Sequence, residues 1–402
     1  MRRGVSLLLG AALSLVSALC RAADPTPGEL NRILGTPLFG AEELWKERPS
    51  AAVRRLNVNC RAERSGEERM FAARVARLVF GIQAAEIRIF AVGDAVARVD
   101  FFLVNKGDSA IGNKRGGDIR KELHHARADL DKLLRENFGK PRKVFFGEGT
   151  LRRQLPAWTA GRYAFVVDYA DGEYLIVRVV PPEKLAERRR SVETKAEPRE
   201  SYVAKVRRAD NGDVWIADVP MVDQGRKGYC VPATVERLLR YFGVEGVDMH
   251  KLAEKYRTGV GGSTRADRMA HGSRKLLAEH GLKMRALGSL SRRTVARQID
   301  RGIPVVWFHY STEGFRERIE FSLNSRRRAT PEGWKKILST QKRIRRRSED
   351  AHVALLVGYN RGTGEFAVSN SWGDRYRIAW VRYADMEQAD AGLDLFVVEP
   401  RK

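Results

Sequence analysis

The sequence predicts an α+β chain folded in two units, and three observations carry that expectation. A length of 402 residues exceeds what one ordinary core serves, while 43% hydrophobic residues suffice for globular packing. Before residue 185, two alternating apolar runs read as hairpins. After residue 201, segments of helical period come first and extended runs follow, the order of a segregated α+β unit.

The opening stretch, MRRGVSLLLGAALSLVSALCRAADP, sets Arg2 and Arg3 before an uncharged apolar run from Val5 to Leu19. It reads as a secretory signal, residues 1–23, cut near Ala22 or Ala23. The run is short for a membrane span, and Leu19 before Cys20 fits a lipoprotein site poorly. No second run approaches spanning length, so we expect an exported bacterial protein, periplasmic or extracellular, and not an integral membrane protein.

Residues 24–185 form the expected smaller α+β unit. Short amphipathic helices fit 27–48, broken at Gly35 to Gly40. EIRIFAVGDAVARVDFFLV, 86–104, turns at Gly93-Asp94, and RYAFVVDYADGEYLIVRVV, 162–180, turns at Asp171-Gly172. Between them a helix fits 118–138, with Gly139 as its stop. Residues 186–202 are charged and lack apolar period, so they read as a linker, whose Arg188 to Arg190 would be an accessible cleavage site.

From 203 to 402 the texture changes. DVWIADVPMV, 213–222, is extended, and helices are expected from Cys230 to about Tyr241, over 248–257, and from about 264 to Gly281. GIPVVWFHY, 302–310, reads as a buried strand, and strands follow at 351–359, 365–369, 376–383 and 394–399. Residues 311–350 read as a basic insert, with twelve Lys or Arg against six Asp or Glu: a lid, an exosite or a solvated excursion.

The formal net charge is +24, and loss of Arg2, Arg3 and Arg21 with the signal leaves +21. Such an excess suits a polyanionic surface or acidic polymer, or simply a solvated arginine-rich exterior. No zinc-finger spacing or nucleic-acid motif stands out, so no specific nucleic acid is expected. His124-His125 has no cysteine or carboxylate at zinc spacing, and neither metal nor cofactor is expected. Two cysteines remain after export, Cys60 and Cys230. They make no disulfide framework, and a thiol kept in an oxidising compartment points toward use.

The stretch VDQGRKGYCVPA, 222–233, gives Cys230 the start of a helix, where unpaired N–H groups favour a thiolate. Pro232 suits the first turn, and Gly225 and Gly228 let the chain bring Gln224 back beside the sulfur. The Gln224 amide and the Cys230 N–H would then serve an oxyanion. Downstream, EDAHVALLVGYN places His352 at a strand start, and FAVSNSWGDRY places Asn370 at a strand end, with Trp372 two residues on. His352 would be the base, oriented by Asn370 and shielded by Trp372. His309 is a rival base without such a partner, and Trp307, His309 and Tyr310 are candidates for a substrate cleft. Asp350 reads as a surface charge, and Cys60 as a buried apolar residue.

In the set Gln224, Cys230, His352 and Asn370-Ser371-Trp372-Gly373 the chain resembles the papain-like cysteine peptidases over roughly 213–400. The family's Gln-Gly stretch, central-helix nucleophile, His leading into Val-Gly-Tyr, and Asn-Ser-Trp-Gly all stand here. The resemblance implies a central helix packed on an antiparallel sheet, with a Cys-His-Asn triad and a Gln oxyanion hole. Val231 and Pro232 replace the tryptophan usual after the nucleophile, and Arg226 and Lys227 lie between Gln224 and Gly228. The GYCVPA stretch, with GGST at 261–264 and IDRGIPVVW at 299–307, is closer to the bacterial double-glycine-leader peptidases. The third residue in that branch is commonly Asp, so Asn370 combines two patterns.

The expected activity is peptide-bond hydrolysis on a peptide or protein substrate. A second expectation keeps the triad for cell-wall peptide hydrolysis or transglutaminase-like acyl transfer. A third is an inactive basic binding module. The 24–185 unit would either inhibit until the linker is cut or bind substrate.

Overall fold

The computed structural model describes residues 24–65, 67–108, 119–185, 197–259 and 262–401. The expected signal at 1–23 and most of the expected linker, 186–196, lie outside them.

The first unit opens with α1 (Pro27–Leu34) and α2 (Pro49–Arg55). Thr26 closes a capping box with Glu29, and Gly35 ends α1 at φ 77°. The second helix therefore begins beyond the expected 27–48, because Pro49 favours a first helical position. Strands β1 (Ala62–Ser65), β2 (Glu68–Val79), β3 (Ile82–Val92) and β4 (Ala95–Asn105) run as an antiparallel meander. After α3 (Ile119–Phe138), a second meander follows: β5 (Arg142–Phe146), β6 (Arg153–Ala160), β7 (Tyr163–Ala170) and β8 (Tyr174–Val180). β4 pairs with β8, which joins the two into one sheet of order β1-β2-β3-β4-β8-β7-β6-β5.

Period-two alternation divides this sheet's faces. Ile87, Ile89, Val99, Phe101, Val177 and Val179 share a core with Leu123, Leu130 and Leu134 of α3. The intervening residues Glu86, Arg88, Asp100 and Arg178 are charged, yet all are buried. The reason lies in the second unit, which covers that face.

The second unit runs α4 (Arg199–Val203), β9 (Val206–Arg208), β10 (Asp213–Ile216), α5 (Cys230–Tyr241), α6 (Met249–Lys255) and α7 (Ala266–Glu279). It continues with β11 (Leu282–Ala286), α8 (Arg292–Ile299), β12 (Val305–Tyr310), α9 (Glu313–Ser325) and α10 (Pro331–Thr340). It closes with β13 (Ala351–Asn360), β14 (Glu365–Ser369), β15 (Ala379–Arg382), α11 (Tyr383–Ala389) and β16 (Phe396–Pro400). The antiparallel sheet has the order β11-β16-β12-β13-β10-β9, with β14 also on β13 and β15 on β14. Mixed helix and antiparallel sheet make the fold α+β, as expected.

The insert 311–350 departs from its expectation as a loop. Thr312 and Thr330 cap α9 and α10, and Phe315, Ile319, Trp334 and Leu338 are buried at helical spacing. Its many basic residues sit on the outer faces and hide that period in composition. Its longest irregular stretch is 341–350, and Arg382 and Arg316 hold the two ends through Lys342 O and Asp350.

All twelve residues of α5 are buried, although Glu236, Arg237 and Arg240 are charged. The second unit's sheet covers one side of the helix and the charged face of the first sheet covers another. Arg88 reaches Glu236 at 2.6 Å, and Arg178 reaches Asp248, the N-cap of α6, at 3.2 Å. Charges removed from water this thoroughly are tolerable only when paired.

Candidate active site

Cys230 is the first residue of α5, and Tyr229 before it offers no side-chain cap. The helix-terminal N–H groups therefore stay available to the sulfur. Burial pushes the Cys230 thiol up, while the backbone N–H groups of Val353, Val231 and Cys230 itself oppose the rise. The Val353 contact joins the sulfur to β13 one residue past His352.

His352 is the second residue of β13 and is buried. Its Nε2 donates to Asn370 Oδ1 at 3.1 Å. An amide oxygen only accepts, so the proton belongs on Nε2 and Nδ1 is left as the basic nitrogen. Burial pushes the imidazole pKa down to about 4, against the Asn370 hydrogen bond, which raises it. Free of substrate, both members of the pair are thus biased toward their neutral forms.

Asn370 follows β14 and is fully buried. Arg237 fixes the end of that strand, since its guanidinium donates to Ser369 O at 3.0 Å and Ser369 Oγ at 2.5 Å. The Trp372 ring lies 4.7 Å from the His352 ring, tilted by 34°. That cover limits water at the His–Asn hydrogen bond, which gains strength in a less polar surrounding.

Gln224 is buried, and its Oε1 accepts from Ser371 Oγ at 2.6 Å. With the oxygen engaged, the Nε2 end is the donor left for an incoming carbonyl oxygen. Gly225 and Gly228, at φ 61° and 70°, supply the left-handed backbone that lets 224–230 fold back. Gly262 crosses so closely that a Cβ there would lie 2.8 Å from Gly228 O.

Two expected cleft residues are buried and open to no cleft. Trp307 and His309 have no exposed surface, and only Tyr310 is half-buried. β12 turns Trp307 inward to donate to Asp390 at 2.8 Å, and His309 stacks on it at 4.4 Å. His309 also pairs in register with His352, the rings edge-to-face at 5.3 Å. It lies beside the candidate base without a side-chain partner like Asn370. Burial pushes the His309 pKa well below 6.5, and a charge on His352 would push it further.

Asp350 takes a surface position, with its carboxylate 3.0 Å from Arg316. Cys60, expected to be buried, is only half-buried and, like Cys230, a free thiol. His124 contacts Asp171 at 3.1 Å on an exposed face. Among the described residues no three His, Cys, Asp or Glu cluster as metal ligands, and no helix is long and apolar enough to cross a membrane.

Sequence reasoning missed Ser371, Arg237 and Lys227. Ser371 was visible inside Asn-Ser-Trp, but its partner becomes known only on folding. Lys227 lies in a polar, glycine-rich stretch and Arg237 beside Glu236, so nothing local signalled that either is buried.

A family model described as Peptidase_C39 like family matches residues 216–390, a span that contains Gln224, Cys230, His352 and Asn370. The second unit is thereby related to the papain-like cysteine peptidases. Among solved structures, a Bacillus anthracis protein described as a C39-like peptidase is similar at 18% identity. That match covers 47% of this chain and 98% of the other, with a TM-score of 0.32. Xylellain, a cysteine protease from Xylella fastidiosa, is similar at 14% identity, covering 52% and 92%, with a TM-score of 0.27. No curated protein matches the chain in sequence.

Proposed function

We propose that this chain, whose second unit is related to the papain-like cysteine peptidases, is an exported cysteine peptidase that hydrolyses peptide bonds. The Nε2–Oδ1 hydrogen bond of His352 and Asn370 carries the reading, because it leaves Nδ1 free to take a proton. Cys230 attacks the scissile carbonyl as its proton passes to His352. Gln224 Nε2 and the Cys230 N–H hold the oxyanion of the tetrahedral intermediate. His352 protonates the leaving amine, and water then releases the acyl group. Export rests on the apolar run that opens the sequence.

The substrate is a peptide or protein with an acidic segment. Lys342, Arg343, Arg345 and Arg346 are exposed and have no carboxylate partner among the described residues. Their stretch leads into β13 a few residues before His352, so an acidic segment bound there lies near the site. Wall-peptide hydrolysis or acyl transfer with the same triad is the second reading, and the +21 left after loss of the signal suits an acidic wall polymer.

The test uses residues 24–402, kept reduced, with iodoacetamide labelling of Cys230 from pH 4 to 9 and a peptide-library screen. Cleavage lost in both Cys230→Ala and His352→Ala supports the peptidase. Labelling of Cys230 that His352→Ala leaves unchanged at every pH, with no library peptide cleaved, overturns it. Transfer to an added amine in preference to water would favour the acyltransferase.

A further inference from the structure

The segment from Gln224 to Cys230 is held from outside its own unit. Lys227 lies midway along it, and its side chain has no exposed surface. Its ammonium lies 3.2 Å from Asp108 and 3.7 Å from Glu86, both carboxylates of the first unit. Asp108 is fixed in turn by Asn105, which donates to its carboxylate at 2.6 Å and accepts from its backbone N–H at 2.9 Å. Glu86 is braced by Arg88. Burial pushes the Glu86 carboxyl up, yet the charges of Arg88 and Lys227 outweigh it and hold the group below its usual range.

Two glycines show how close the first unit comes. A Cβ on Gly107 would lie 2.6 Å from Lys227 Cβ and 3.0 Å from the Tyr229 ring. A Cβ on Gly225 would lie 2.8 Å from the Arg74 guanidinium. Arg74, Glu86, Gly107 and Asp108 thus meet the segment just after Gln224, at Lys227, and just before Cys230. A cation could be buried here only because the first unit supplies its counter-charges.

We infer that the first unit is a fixed platform for the oxyanion segment, and that Lys227 is the positioning residue through which it acts. The inference rests on the peptidase reading for its kinetic consequence but not for its structural one. A fixed platform is neither an inhibitor released by linker cleavage nor a substrate-binding module alone. Loss of the Lys227 anchor lets Gln224 Nε2 and the Cys230 N–H drift from the place where the oxyanion forms. Because those donors serve the transition state, kcat suffers more than KM.

The experiment uses residues 24–402 with Lys227→Met, Lys227→Arg, Asp108→Asn and Gly107→Ala. Amide hydrogen exchange over 224–230 is the first readout, set against α7 and β16 as internal references for global stability. Kinetics per titrated Cys230 thiol are the second. We expect faster exchange confined to 224–230 in Lys227→Met, Asp108→Asn and Gly107→Ala. We also expect kcat lower by at least about tenfold, with KM within roughly twofold, and partial rescue in Lys227→Arg. Unchanged protection over 224–230 in Asp108→Asn and Gly107→Ala overturns the platform whether or not the wild type cleaves peptides. Wild-type inactivity with loosened 224–230 would sink the peptidase reading and leave the platform standing. Should Lys227→Met fail to fold, Asp108→Asn, at a half-buried position, carries the test.

Discussion

Ser371 Oγ donates to Gln224 Oε1 across 2.6 Å, and the Gln224 backbone N–H donates to Ser371 O at 2.8 Å. The residue after Asn370 therefore orients the Gln224 side chain, six residues before Cys230. One short segment, 370–372, holds the imidazole with its first residue, the amide with its second, and a ring over the site with its third.

From that double contact follows a graded effect. Gln224→Ala removes the proposed oxyanion donor and should lower kcat by about a hundredfold. Ser371→Ala frees the amide to rotate while leaving the donor present, so a smaller loss, roughly fivefold to tenfold, is expected. In both, KM should move little. Steady-state kinetics on a peptide the wild type cleaves would check it, and an effect of Ser371→Ala as large as that of Gln224→Ala would show that Ser371 does more than orient.

The acid limb of activity should lie below the ordinary histidine range. Burial lowers the His352 pKa to about 4, and the base works only when unprotonated. Activity should therefore persist as pH falls through 6.5 and fail only as it nears that lower value. Asn370→Ala removes the one hydrogen bond that raises the pKa, so its acid limb should move lower still, with kcat reduced by lost orientation. A kcat/KM profile from pH 3.5 to 9 measures this, and a wild-type limb at 6.5 contradicts it.

Stability should depend on pH over the same window. His309 and His352 both have folded pKa values below the unfolded 6.5, so the unfolded chain binds more protons as pH falls. Stability is thus fully present above pH 6.5 and is lost below it, by up to about 1.4 kcal/mol per pH unit for each histidine. His309→Phe keeps an aromatic ring between Trp307 and Phe315 and removes one titration. Urea unfolding from pH 4.5 to 7.5 should show a shallower slope in that variant.

The exposed basic stretch predicts a salt-sensitive preference. Adding four glutamates to one end of a cleaved peptide should raise kcat/KM several-fold at low salt, and the gain should fade by about 0.5 M salt. Arg343→Gln, Arg345→Gln and Arg346→Gln together should abolish the gain and leave cleavage of the uncharged peptide unchanged. An acid-tail benefit that survives the triple change assigns it to another surface.

Backbone packing at Gly358 admits no side chain. A Cβ there would lie 2.7 Å from Val214 O and 2.9 Å from Ala367 Cβ, where β13 is bulged against β14. Gly358→Ala should cost about 1–3 kcal/mol of stability. Thermal unfolding would measure it as a lower Tm, and an unchanged Tm would mean that the strands part easily.

By itself the sequence determined what depends on neighbours along the chain. The turns at Gly93-Asp94 and Asp171-Gly172, the stop at Gly139, and the helix from Cys230 to Tyr241 are local events, set by backbone freedom and apolar period. The four candidate residues Gln224, Cys230, His352 and Asn370 were legible too, because their order and strand-end settings are written locally. Composition misled over 311–350, where arginines on the outer faces hid the buried Phe315, Ile319, Trp334 and Leu338. Tertiary structure alone decided which polar faces are wet. EIRIF alternates like a strand with a solvated side, yet Glu86 and Arg88 are buried against Lys227 and Glu236. Alternation tells that a strand has two faces; only the partner sheet or helix decides whether the charged one meets water or a counter-charge.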